Sequence, residues 1–177
     1  MKHSKHLHYI FLTLTIIWMA VIFIFSSQNG EASSSTSNSF ADFIVSVFIP
    51  NLKEYDITRQ QDILDTITFI IRKGAHFTEY AILGVLSFST VITYIWKKFE
   101  TDSADSHLTI LRSKRLIYGF GSLIFSCLYA ISDELHQGFV ADRSPSVRDV
   151  CIDTCGALAG IVFICFILSL NLKKKTH

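Results

Sequence analysis

Apolar residues in this chain come in long uninterrupted blocks, not in the short alternating runs of a soluble domain. Residues 7–28, 81–96, 116–132 and 154–172 contain no Asp, Glu, Lys or Arg, and the second block continues upstream through "AHFTEY". At about 1.5 Å per residue, roughly 17 to 20 residues make roughly 26 to 30 Å of helix, close to the hydrocarbon thickness of a bilayer. The blocks predict four transmembrane helices over about 7–26, 75–96, 116–133 and 150–172. The first block, with its basic start, also resembles a secretory signal, and "FSSQNGEASS" offers a cleavage site. Its length exceeds a signal core, so the expectation is a retained span.

Between the first two spans lies a segment of about 27–74 with a different pattern. "SSQNGEASSSTSNS" reads as a flexible Ser-rich loop. "FADFIVSVFIP" is apolar but too short to span, which places it at the interface or against the bundle. In "DITRQQDILDTITFIIRKGAHF", Ile63, Leu64, Ile67, Ile70 and Ile71 recur at helical spacing, with Asp62, Asp65 and Thr66 on the other face. This predicts an amphipathic helix ending at Gly74, after which the second span starts. The link "KKFETDSADSHLTILRSKR" reads as a charged loop. The predicted fold class is an all-α membrane protein: a bundle of four transmembrane helices with extra amphipathic helices in the first extracytoplasmic segment.

Charge sets the orientation. Ten of the sixteen Lys and Arg fall in the N-terminal tail, the 97–115 link and the C-terminal tail; the other six are spread over the longer intervening segments. The positive-inside rule then puts both termini in the cytoplasm, and four spans agree with that. A net charge of +1 implies no nucleic-acid partner. The implied partner is the lipid bilayer. Of four Cys, Cys127 and Cys165 lie deep in apolar runs and read as small hydrophobes. Cys151 and Cys155, one turn apart, read as packing rather than as metal ligands. No cofactor and no oligomeric state is read from the sequence.

With that topology the polar residues converge. "RKGAHFTEYAILG" opens the second span, "SDELHQ" closes the third and "SVRDVCIDTCG" opens the fourth, all on the extracytoplasmic side. His76, Glu79 and Tyr80 share a helix face, and Asp133, His136 and Gln137 repeat that spacing. Ionisable residues at membrane depth are costly and face a bundle interior or a wet cavity. Asp133 and Glu134 sit at a helix C-terminus, where the macrodipole disfavours negative charge, so they call for a cation: Arg143, Arg148, His76 or a metal. Three chemistries remain open. His76, Glu79, Glu134 and His136 are the catalytic candidates, around a divalent metal or as acid–base groups with Ser144 or Ser146 as nucleophile, although neither a strong metal-ligand spacing nor a nucleophile elbow exists and no metal site is assigned. Tyr80, Asp133, Gln137, Arg143, Ser144, Arg148 and Asp149 are the substrate-binding candidates, the two Arg gripping a phosphate or carboxylate of an anionic lipid head group or a wall precursor. Against both stands a network that merely ties helices together, in which Ser146 to Asp149 form a capping box and Asp149 is only a cap.

"KGAHFTEYAILG" followed by "SDELHQGFVADRSPSVRDVCIDTCGALAG" resembles the VanZ-like family of bacterial membrane proteins, and "WMAVIFIFSSQ" is similar to that family's first helix. The resemblance implies a single VanZ-like membrane domain over 1–177 in a bacterial cell membrane, and its namesake gives low-level resistance to teicoplanin. It carries over His76, Glu79 and Tyr80, then Asp133, Glu134, His136 and Gln137, then Arg143, Ser144 and Asp149. Relatives often have Asn at Asp153, which implies that its charge is dispensable, and Pro-Gly at Ala141-Asp142, which implies a differently shaped turn before Arg143. The expected function is a cell-envelope protein whose outward polar site binds or acts on an anionic lipid-linked or cell-wall-related molecule, with a membrane-embedded hydrolase or transferase, metal-assisted or not, and a non-catalytic partner-binding protein as alternatives.

Overall fold

The computed structural model describes residues 3–98 and 104–174. Its elements are α1 (His3–Ser26), α2 (Gly30–Phe48), a turn of 3-10 helix (Leu52–Glu54), α3 (Ile57–Lys98), α4 (Ala104–Gln137) and α5 (Val147–Lys174), with no strand among the described residues. Four segments are long and apolar enough to cross a membrane: His6–Ser26, Ile57–Trp96, Lys114–Gln137 and Val147–Leu170. Many of their large apolar side chains face away from every neighbour, among them Ile16 and Ile24 on α1, Ile117 and Phe120 on α4, and Val162 and Phe166 on α5. Surface of that kind, on helices long enough to span a bilayer, fits a lipid environment. The chain is a multi-pass helical membrane protein.

Three local expectations change. The Ser-rich stretch is not a loop, because α2 begins at Gly30. Serine is only a mildly poor helix former, and the tertiary contact decides. Ser37, Ala41 and Val45 are buried, and Thr68 Oγ1 donates to Asn38 Oδ1 at 3.2 Å, so α2 lies on the first half of α3. Gly74 does not end a helix either. The amphipathic segment and the second span form one helix of 42 residues. A mid-helix glycine costs about 1 kcal/mol relative to alanine; packing on both sides of it, by α2 before and by the bundle after, outweighs that cost. Finally, the second half of the 97–115 link is helical, because α4 starts at Ala104.

At about 1.5 Å per residue α3 is about 63 Å long, roughly twice the hydrocarbon thickness. Its second half is the centre of the bundle and packs against α1, α4 and α5; its first half pairs with α2 and, from Phe69 to His76, also meets the start of α5. Tyr80, Leu83 and Phe88 are wholly buried, in two clusters with Ile22 of α1, Ala130 of α4 and Ala157 and Ile161 of α5. The hydroxyls of Ser89 and Thr93, also inside, donate to carbonyls one turn back, Val85 at 2.6 Å and Ser89 at 2.7 Å. No polar partner from another helix is required.

The closest helix pair is α3 with α5, and small residues make it possible. A Cβ at Gly156 would strike the carbonyl of Phe77, one at Gly160 that of Ala81, and one at Gly84 that of Ala157. "GALAG" (residues 156–160) is a small-xxx-small stripe of the kind that lets membrane helices touch backbone to backbone. This contact fixes the rotation of α5 and so decides which residue, one turn earlier, meets α3.

Candidate functional site

That residue is Asp153. It is wholly buried, and its Oδ1 lies 3.6 Å from Nδ1 of His76 on α3. The separation is an ion-pair distance, beyond hydrogen bonding, and neither Asp153 oxygen nor His76 Nδ1 has a hydrogen-bond partner. Asp153 was set aside on the resemblance as a dispensable charge. The close approach at Gly156 makes it the most deeply placed acid of the cluster.

The end of α4 supplies the next layer. Asp133, Glu134 and Gln137 are 3%, 3% and 4% exposed. Gln137 Nε2 donates to Asp133 Oδ2 at 3.2 Å, and Arg143 Nη1 donates to Gln137 Oε1 at 3.0 Å. The expected cation therefore reaches Asp133 through a neutral amide rather than by direct pairing. Glu134 is satisfied differently: its Oε2 accepts the Ser146 backbone N–H at 2.7 Å, at the start of α5. In a capping box that N–H would be taken by the side chain of Asp149. Here Asp149 forms an ion pair with Lys73 of α3 at 2.5 Å, so it is a cross-helix partner and not a box residue, and Arg143 and Arg148 are not its partners. Arg148 instead lies over the ring of Phe69, 4.8 Å from its centroid.

The connection 138–146 folds back over the end of α4, and one backbone angle lets it do so. Asp142 has φ 59°, in the left-handed region where glycine is at ease and Asp is among the few others tolerated. The next residue, Arg143, is thereby turned back onto Gln137. Burial, and then the neighbouring charge of Arg72, push the Arg143 guanidinium down from its usual value, opposed by Asp133, Glu134 and Glu79. It remains a cation, but one held beside a like charge.

Two cavities meet here. One, of about 380 Å³, lies between α1, α3 and α4 and is lined by Ile22, Phe25 and Ser26 together with Glu79 and Asp133. The other, of about 460 Å³, is lined by Phe69, Lys73, Gln137, Ser144, Arg148 and Asp149, among others. Arg72, His76 and Arg143 belong to the walls of both. The structure thus brings His76, Glu79, Asp133 and Arg143 together, and places Gln137, Ser144, Arg148 and Asp149 around the adjoining space. Tyr80 is buried behind, its hydroxyl without a partner.

His136 stands apart. Its ring stacks on Phe23 at 4.4 Å between centroids, its Nε2 is 3.2 Å from Ser27 Oγ, and it lines neither cavity. Among the described residues no three His, Cys, Asp or Glu side chains come close enough together to hold a metal ion, so the four catalytic candidates do not form a ligand set. All four cysteines are free.

In sequence Arg72 and Lys73 have no evident place in the site, and the resemblance treats the Asp153 charge as dispensable. Arg72 precedes His76 by one helical turn and so shares its face, a signal that was present once the helix ran unbroken through Gly74. The Lys73–Asp149 and His76–Asp153 partnerships depend on how α5 is rotated against α3, and the glycine stripe in "GALAG" was the available clue.

No curated protein and no solved structure matches the chain. A family model does: the one described as VanZ/LLP1 matches residues 11–169. The matched stretch runs from α1 to near the end of α5 and takes in every residue of the polar site. The chain belongs to the VanZ/LLP1 family.

Proposed function

We propose that this chain is a VanZ-like cell-envelope protein whose polar site faces the extracytoplasmic side, with both termini in the cytoplasm, and binds the anionic group of a lipid-linked or cell-wall-related molecule. Membership of the family supports a link to teicoplanin-type resistance. The observation that carries the reading is Arg143. Its guanidinium is held by the neutral amide of Gln137, its Nε is buried without a hydrogen-bond partner, and among the described residues no carboxylate forms an ion pair with it. A half-buried guanidinium with an unpartnered Nε, at the wall of two cavities, can take an anion brought from outside. The test is the lipid complement of the purified protein by mass spectrometry. Wild type retains a characteristic phosphate-bearing lipid, and Arg143→Ala loses it at equal membrane abundance. The same complement in both proteins overturns the reading.

A second reading, a membrane-embedded hydrolase or transferase, is supported by His76 and Asp153. A histidine at ion-pair distance from a buried carboxylate can act as a general base whose protonated form that carboxylate stabilises. His76 is then the base, and Asp153, rather than Glu134 or His136, is its partner. Turnover of the retained lipid by wild type and its loss in His76→Gln would establish this reading; intact lipid after prolonged incubation would remove it.

A further inference from the structure

Opposite charges share the smaller cavity without touching. Arg72 and Arg143 form part of its wall, and Glu79 and Asp133 form another part. The ion pairs among the described residues are Lys73–Asp149 and His76–Asp153, and none joins these four groups. Unmet hydrogen-bonding capacity remains on both sides: Arg143 Nε is a buried donor without an acceptor, and Asp133 Oδ1 a buried acceptor without a donor.

The larger cavity adds positive charge on the arginine side. Its wall has Arg72, Lys73, Arg143 and Arg148 against Asp65, Asp142 and Asp149, and Lys73 is already paired with Asp149. The smaller cavity adds an apolar side. Ile22 and Phe25 of α1 line it, and Phe25 is about half exposed on the lipid-facing surface, next to Phe23 and Ile24. The wall therefore carries both cationic and anionic groups and has an edge that meets lipid.

We infer that the ligand is a phosphate ester carrying a primary ammonium, the zwitterionic head group of an aminophospholipid, with Arg72 and Arg143 holding the phosphate and Glu79 and Asp133 receiving the ammonium. The inference rests on the anion-binding reading above and adds the cationic half of the ligand. Phosphate accepts forked hydrogen bonds from two guanidinium groups, and a primary ammonium brings three N–H donors to carboxylate oxygens. A quaternary ammonium has no N–H, and a glycerol head group has no positive charge. Either would leave part of the site unmet. The acyl chains leave along α1 past Phe25.

The experiment is native mass spectrometry of the full chain, in detergent doped with equal amounts of phosphatidylethanolamine, phosphatidylglycerol and phosphatidylcholine. Phosphatidylethanolamine is retained about tenfold over phosphatidylcholine, the factor set by one buried carboxylate left unpaired. Arg72→Gln lowers retention of phosphatidylethanolamine and phosphatidylglycerol alike. Asp133→Asn lowers phosphatidylethanolamine and leaves phosphatidylglycerol unchanged, and Glu79→Gln does the same should Asp133→Asn fail to fold. Calorimetric titration with soluble phosphoethanolamine separates the sources: heat assigns the site to the head group alone, and no heat with lipid retained assigns it to the lipid, either source meeting the inference. Equal retention of phosphatidylethanolamine and phosphatidylcholine, or an unaltered phosphatidylethanolamine to phosphatidylglycerol ratio in both acid variants, overturns the inference. If phosphatidylglycerol is nonetheless released by Arg72→Gln, the anion reading survives that failure. If neither Arg72→Gln nor Arg143→Gln alters the retention of any lipid, the anion reading falls too.

Discussion

Oδ1 of Asp153 lies 3.6 Å from Nδ1 of His76, and Asp153 is wholly buried with both carboxylate oxygens unbonded. A buried carboxylate without hydrogen bonds weakens the fold unless a nearby charge offsets its desolvation. Asp153→Asn is therefore expected to leave the melting temperature unchanged or raised, while ligand retention falls about tenfold because His76, which lines both cavities, loses its carboxylate partner. His76→Ala does the opposite to the fold: it strands the carboxylate, and melting drops by the equivalent of about 3–5 kcal/mol. The Asp153→Asn prediction runs against the expectation drawn from the resemblance, that the charge at 153 is dispensable. Thermal melts and lipid retention of the two variants decide it; equal loss of stability in both makes the pair purely structural.

Lys73 and Asp149 join α3 to the first turn of α5 at 2.5 Å, with side chains 22% and 15% exposed. A double-mutant cycle with Lys73→Met and Asp149→Asn is expected to give a coupling of about 1 kcal/mol. Zero coupling by chemical or thermal unfolding would return Asp149 to the role of a cap.

Two glycines of α3 and α5 should respond in opposite ways to the same added methyl. A Cβ at Gly156 meets the backbone carbonyl of Phe77, whereas at Gly74 nothing lies within 4 Å. Gly156→Ala forces α5 off α3 and is expected to lower both stability and ligand retention, because Asp153 leaves His76. Gly74→Ala is expected to stabilise by about 0.5–1 kcal/mol. Melting temperatures of the pair check the unbroken helix and the close helix contact together.

The proposed orientation is open to single-cysteine labelling of intact cells in a cysteine-free background. Ser35→Cys is expected to react with an impermeant reagent and Ser103→Cys is not. The reverse pattern places the polar site on the cytoplasmic side.

The spans were legible because each apolar block is long enough to declare itself without reference to its neighbours. The candidate site was legible in part for a similar reason: "AHFTEY", "DELHQ" and "SVRDV" each lie at the edge of such a block, and alternating traverses bring those edges together. Partners were not legible. Asp149 looked like a cap because its local sequence fits one, and only the rotation of α5 puts it on Lys73. Glu134 and Asp133 look alike in sequence, yet one accepts a backbone N–H and the other an amide. Gly74 and the serines after residue 30 misled for the same reason: local propensity is worth about 1 kcal/mol per residue at most for such residues, less than the packing that overrules it.

Bending in a helix needs a place to happen, such as a proline, a bulge or an inserted water. Ile57–Lys98 has no proline in its 42 residues. The paired helices beyond the bundle and the wall that contains Arg72 and His76 therefore share one continuous helix, with Gly74 between those two residues. A displacement of α2 is expected to reach the site along that helix, and Gly74 is the place where a bend between Arg72 and His76 would fall.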